Sequence, residues 1–370
     1  MRLLALAFCA LSAPTLAPTV SPGCTGPLPS APHGLPQRVL VETQCGTYAI
    51  DGDGSVVRAP QVPYEPPPWM LDLRGGHIVL IENRKVVWRS RNRYGVDAFS
   101  NLQSVAVGTR SLAFSLGDRR LRVARFGRAE RIVGRREVAL GWSGADRLLT
   151  ADARGKIWMR TGVGRRKRFV ARRVVGFAFE SGSRTLVFAT ADATVFRTDG
   201  RSTRLLSDLS QFGLNRASLW PNLLANGLIA FETSKRLVVL NADGSPFAAA
   251  TLAAGTTFSS YPTGGAGGVA FSTVGGSGAT QETIYALHAG QQSATALYTV
   301  PVYVDGCRGA GVEWYGDWIL FWNTEGRVVA LESERRHAPI DLTETVAELP
   351  GVDRDPGSGA LIGVDRTFWA

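Results

Sequence analysis

From about residue 38 onward, short apolar runs alternate with turn residues along the chain. In "GKIWMRTG" (155–162), "ATVFRTDG" (193–200) and "GRVVALES" (326–333), apolar and polar positions alternate. That period of two sends successive side chains to opposite faces of a β-strand. "GTYAIDGDG" (46–54) and "RLVVLNADG" (236–244) show the same alternation and then turn on Asp-Gly, where glycine takes the positive φ of a tight turn without steric cost. The runs come in pairs. Eight two-strand units span Arg38–Ile50, His77–Arg89, Arg110–Arg125, Arg147–Arg160, Arg184–Arg197, Asn226–Asn241, Gly267–His288 and Asp317–Glu332.

The spacing of these units selects the architecture. Markers in the second strand of each (Tyr48, Val87, Leu121, Trp158, Val195, Val238, Tyr285, Val328) follow one another at 34 to 47 residues. This is the period of a four-stranded propeller blade, and a sandwich would not yield eight equivalent units. The pattern predicts an all-β fold, a single β-propeller of about eight four-stranded blades over residues 37–370, with seven if the weak second unit is not a full blade. The first unit lacks a leading strand. The apolar segment "GALIGVDRTFW" (359–369), near Leu361, is expected to supply it and close the ring, which protects strand edges from pairing with other chains.

"GWSGADRLLTADARGKIWM" (Gly141–Met159) and "FAFESGSRTLVFATADATVFRTDG" (Phe177–Gly200) resemble repeats of the WD-repeat-like propellers of exported bacterial proteins. "GTYAIDGDGSVVRA" (46–59) and "TIYALHAG" (283–290) are similar to the pyrroloquinoline-quinone-type propeller repeat. The resemblance covers roughly residues 38–343 and implies a fold more than an activity, since one superfold hosts many functions. Active quinone-dependent dehydrogenases of that type use adjacent cysteines and a calcium-ligand set. The four cysteines here are Cys9, Cys24, Cys45 and Cys307, none adjacent, so no cofactor is expected.

The N-terminus adds a compartment. Arg2, the apolar run Leu3–Leu11 and the small residues through Ala17 have the build of a secretory leader, with cleavage after Ala13 or Ala17. Residues 1–17 are read as a signal peptide and residues 18–36, rich in Pro, Ser and Gly, as an extended linker. The lipid-anchor pattern is not met, because Phe8 precedes Cys9 and Ser21 lies three before Cys24. An exported chain sits where disulfides form. Propeller geometry places Cys45, in the turn of the first unit, and Cys307, in the link entering the eighth, on one face of neighbouring blades, so a Cys45–Cys307 staple is expected. Cys24 is the competitor for either.

Charge is uneven. The formal net charge is +10, and lysine occurs only at positions 85, 156, 167 and 235. Residues 84–173 hold 24 basic and six acidic side chains, a net +18; the rest of the chain has 17 basic and 25 acidic, a net −8. Arginine recognises phosphate and carboxylate bidentately, and a field of this sign attracts anionic polymers or membrane surfaces. The anion-binding candidates are Arg119, Arg120, Arg135, Arg136, Arg165, Arg166, Lys167 and Arg168. The alternative is a solvated coat on outer strands.

Catalytic signals are weak. His33, His77, His288 and His337 show no metal spacing, and no two cysteines lie close enough for a zinc site. "DGDGS" (51–55) opens like a calcium loop, but the closing position is Val62. "GWSGA" (141–145) carries Ala145 where a nucleophile elbow has glycine. Asp305, Glu313 and Asp317 are acidic candidates for a cleft. Trp314, Tyr315 and Trp318, with Phe321 and Trp322, form an aromatic cluster that serves either a partner or packing between blades. Trp220 is similar, and the Gly-rich stretch 263–280 is a candidate flexible loop. The expected function is a secreted or extracytoplasmic binding or scaffolding module without catalysis, for a protein or an anionic cell-envelope polymer. An anionic membrane surface is a further candidate, nucleic acid the least expected partner, and the protein is expected to be a monomer. The alternative is an extracellular propeller enzyme (hydrolase, lyase or quinone-dependent dehydrogenase) with its site at the central channel.

Overall fold

The computed structural model describes residues 24, 26–60, 69–74, 76–82, 85–94, 102–161, 164, 166–214, 219–233, 235–275, 281–301, 311–323, 326–356 and 360–369. Each two-strand unit of the sequence forms the middle of one antiparallel sheet, and the sheets are the blades of an all-β propeller. Blade 1 is built from Val39–Thr43, Gly46–Ile50 and Val56–Ala59 with Val364–Trp369. Blade 2 shows three strands, Trp69–Arg74, His77–Glu82 and Lys85–Arg89. Blade 3 runs Ser104–Val107, Ser111–Ser115, Arg120–Arg125, Arg131–Arg135. Blade 4 runs Glu137–Ser143, Arg147–Asp152, Ile157–Thr161, Lys167–Ala171. Blades 5, 6, 7 and 8 have their middle strands at Thr185–Thr190 and Thr194–Thr198, Ile229–Glu232 and Arg236–Leu240, Gly268–Gly275 and Gln281–His288, and Trp318–Trp322 and Val328–Glu332. A short extra ladder joins Asp353–Arg354 to Leu361–Ile362.

Middle strands are covered on both faces by the neighbouring blades, so they read as near-continuous apolar runs. Ser111–Ser115 is buried at every position. Consecutive blades share their cores: Ile78, Leu80 and Trp88 meet Leu112 and Phe114, Leu149 and Met159 meet Leu186 and Phe188, and Ile229 and Phe231 meet Val187 and Val195. Each such aromatic or branched side chain contributes about 1.5–3 kcal/mol on burial. Fourth strands face outward and are mostly exposed, as in Lys167–Ala171.

The C-terminal strand closes the ring. Val39, Leu40 and Val41 pair with Trp369, Phe368 and Thr367, and Leu320 and Val328 of blade 8 share a core with Val39, Val41 and Tyr48. The closing strand is Val364–Trp369. Leu361, expected within it, instead pairs with Arg354, because Gly363, at φ 93, turns the chain between the two.

Further expectations are corrected. Cys45 is bonded to Cys24 and is therefore not available to Cys307, which lies outside the described residues. The physical reason is that the segment read as a free linker docks on blade 1. Ala31 and Leu35 are buried in the closure core, and the Ala31 and Gly34 amides donate to the Gly54 and Gly52 carbonyls at 2.9 and 2.8 Å. The Gly-rich stretch, expected as a flexible loop, forms strands at Thr263–Gly265 and Gly268–Gly275. Glycine is needed there because a Cβ on Gly265 would lie 2.0 Å from the Trp314 ring. Residues 276–280 are outside the described set.

Candidate functional site

The basic sector spans blades 2 to 4. It holds a cleft of about 810 Å³ lined by Asn92, Tyr94, Arg120, Arg122, Glu130, Arg131, Ile132, Val133 and Gly164. Three parts of the chain build it. The first is the exit from blade 2, fixed by the Tyr94 amide donating to the Gly76 carbonyl (2.6 Å) and by Ser90 Oγ donating to the Asn92 carbonyl (2.9 Å). The second is the outer hairpin of blade 3. The third is Gly164, at the edge of the outer hairpin of blade 4.

Its charges are tethered. Arg122 is largely buried and donates from Nη1 to Asp118 Oδ1 at 2.9 Å. Asp118 also accepts from the Arg120 amide at 3.0 Å, and the Arg122 hydrogen bond holds its carboxyl below the usual range. The Arg122 guanidinium lies 5.9 Å from the centre of the Tyr94 ring, a cation–π distance. Glu130 accepts from Asn92 Nδ2 at 2.5 Å, from the Tyr94 hydroxyl at 3.0 Å and from the Arg91 amide at 3.4 Å. Burial, and then the Glu130 charge, push the Tyr94 hydroxyl up to about 12, so it remains a donor at physiological pH. Glu130 is thus engaged within the protein, while exposed Arg131, and Arg120 at 3.8 Å from Asp118, present guanidinium groups at the rim. Such a site can hold a carboxylate or phosphate.

The other basic candidates fall into two groups. Lys167 and Arg168 serve the fold. Glu137, buried, accepts from Arg160 Nη2 at 2.8 Å, from Thr150 Oγ1 at 3.1 Å and from Lys167 Nζ at 2.7 Å, and Lys167 sits 4.1 Å above the Trp158 ring. Arg168 Nη2 donates to the Gly200 and Arg201 carbonyls at 2.6 and 2.8 Å. Arg119, Arg135, Arg136 and Arg166 are exposed. Arg119 and Arg136 hold φ of 56° and 55° and meet through an Arg136 amide to Arg119 carbonyl bond of 2.6 Å. Arg165 lies outside the described residues. Of the sequence candidates among the described residues, only Arg120 lines the cleft. Arg122 and Arg131 stood in the same basic run but were not singled out. Asn92, Tyr94 and Glu130 carried no local signal.

The aromatic candidates lie on a hairpin turned at Gly316, φ 54. Trp314 packs edge-on to His288 at 5.8 Å and donates to the Gly316 carbonyl at 2.7 Å. Trp318 packs on the closure core and stacks on His337 at 6.1 Å. Tyr315 is 46% exposed and the most available of the three. Of the acidic candidates, Glu313 accepts from the Trp369 amide at 3.0 Å, Asp317 pairs with Arg336 at 3.8 Å, and Asp305 lies outside the described residues. Among the described residues no three His, Cys, Asp or Glu side chains group to hold a metal, and no helix is long and apolar enough to cross a membrane.

No protein-family model matches the chain, and no curated protein matches it. Among solved structures it is similar to BamB from Moraxella catarrhalis, at 15% identity over 74% of this chain and 85% of that one, with a TM-score of 0.43. It is also similar to the dihydro-heme d1 dehydrogenase NirN in complex with DHE, at 15% identity over 86% and 78%, with a TM-score of 0.44. A third is the C-terminal WD40 domain of Sif2, at 12% identity over 65% and 73%, with a TM-score of 0.38.

Proposed function

We propose that the chain is an exported binding module, with residues 1–17 its leader, whose basic sector engages an anionic partner of the cell envelope, protein or polymer, without catalysis. The observation that carries this reading is the concentration of basic side chains on blades 2 to 4, three of them (Arg120, Arg122 and Arg131) lining one cleft, in a chain whose remainder is net acidic. The Cys24–Cys45 bond supports an oxidising compartment. Tyr315, exposed at the blade 8 hairpin, is a second candidate contact.

The test is adsorption to polyglutamate and to vesicles containing anionic lipid, read against salt. Binding should weaken steeply as ionic strength rises through about 0.15 M, where the screening length falls to about 8 Å. Replacing exposed Arg119, Arg135, Arg136 and Arg166 with Gln should weaken it at least tenfold without loss of folding. Wild-type protein that adsorbs to neither surface at low salt would reduce these arginines to a solvated coat.

A further inference from the structure

We infer that the cleft between blades 2 and 3 seats an extended acidic peptide segment of a partner protein, along the open edge of Arg131–Arg135. This rests on the reading of the protein as a binding module for anions. It adds the ligand class and the mode of attachment.

Three observations converge. The first is charge: Arg120, Arg122 and Arg131 face one cleft, and the carboxylate inside it, Glu130, is engaged by Asn92, Tyr94 and the Arg91 amide. Arg120 lies 3.8 Å from Asp118, a carboxylate held mainly by Arg122, so Arg131, with Arg120 beside it, suits carboxylates brought by a ligand. The second is the strand edge. Among the described residues Arg131–Arg135 is outermost in its sheet and pairs only with Arg120–Arg125. The ladder also skips Val133, where the register shifts between Ile132 and Gly134. A one-sided strand offers a row of backbone donors and acceptors, and an extended peptide is the ligand that can complete it. The third is the floor. Ile132 is 39% exposed at the cleft, so a ligand with apolar residues alternating with acidic ones gains contact there. A sugar polymer carries neither the backbone amides nor the apolar side chains, and a vesicle surface cannot enter a cleft of this size.

The experiment is fluorescence anisotropy on the full chain with a panel of ten-residue peptides alternating Glu or Asp with Val, Leu or Phe. The comparison ligands are the same peptides N-methylated at alternate amides, polyuronate and inorganic phosphate. Saturable binding at one peptide per chain is expected for at least one peptide of the panel. R120Q with R131Q should weaken it at least tenfold, as should N-methylation. R204Q, at an exposed arginine outside the basic sector, should change it less than threefold. No saturable binding across the panel, equal binding of the N-methylated peptides, or polyuronate binding with the same dependence on Arg120 and Arg131 would each overturn the inference. Adsorption to polyglutamate is measured separately, so the basic-sector reading can survive that failure, and peptide binding can survive loss of adsorption.

Discussion

Glu232 closes the second strand of blade 6, half-buried, and accepts from Asn222 Nδ2 at 2.6 Å. Burial raises its carboxyl from 4.5 to about 7, and the Asn222 bond opposes this. Below pH 4.5 folded and unfolded states both hold the proton, so the group contributes no pH dependence. Between there and about pH 7 the unfolded chain releases the proton and the folded chain keeps it, so stability falls as pH rises and levels off above. Denaturant midpoints from pH 4.5 to 7.5 should show this slope in the wild type and lose it in Glu232→Gln, the difference reaching up to about 3 kcal/mol. Equal slopes would remove Glu232 as the source. Single residues also mark where the sequence ran out. Arg122 and Glu130 lie in one basic run, yet what gives them their setting is Tyr94, which reaches Glu130 from 36 positions earlier in the chain. Cys45 was visible as a turn cysteine. Cys307 and Cys24 both stood as its partner, and what selects Cys24 is the docking of Ala31 and Leu35, two apolar anchors in a stretch with no periodicity.

At the scale of elements, second and third strands were legible because both their faces are covered. Continuous runs such as "TLVFAT" at Thr185–Thr190, closed by tight turns, announce themselves. First strands were not, because what matters in them is close approach. A Cβ on Gly176, in the first strand of blade 5, would lie 2.0 Å from the Leu219 carbonyl oxygen leading into blade 6, and backbone cannot swing aside as a side chain can. Gly176→Ala should therefore cost about 1–3 kcal/mol of folding stability, with thermal unfolding as the readout. Gly182→Ala, where a Cβ meets nothing within 4 Å, is the control and should leave the midpoint within about 0.5 kcal/mol. Matching losses would mean that the blade 5 to blade 6 contact relaxes freely. The second blade, the weakest in sequence, still has its Ile78 and Leu80 fully buried.

For the whole molecule, the decisive region is the seam between blades 8 and 1. There Val364–Trp369, the docked segment 26–36 and the Cys24–Cys45 bond come together. The bond joins residues 21 apart, a loop for which the chain-entropy model gives about 3 kcal/mol. Replacing both cysteines with Ser should lower the denaturation midpoint and raise amide exchange first at Val39–Ile50 and Val328–Glu332. Uniform loss of protection across all blades would show that the bond stabilises the ring as a unit instead of fastening its seam.

The closing strand also sets an order in time. Val39–Val41 is made long before Val364–Trp369, its neighbour in the sheet. Blades 3 to 7 pair mostly within short stretches of chain, a local arrangement that favours folding one unit at a time during synthesis. The first blade must instead wait, one edge bare, until Val364–Trp369 has been delivered. A nascent chain stalled before Val364 would thus carry a largely built ring whose bare inner edge is ready to pair with the wrong strand, and Val364–Trp369 would be the strand that silences it.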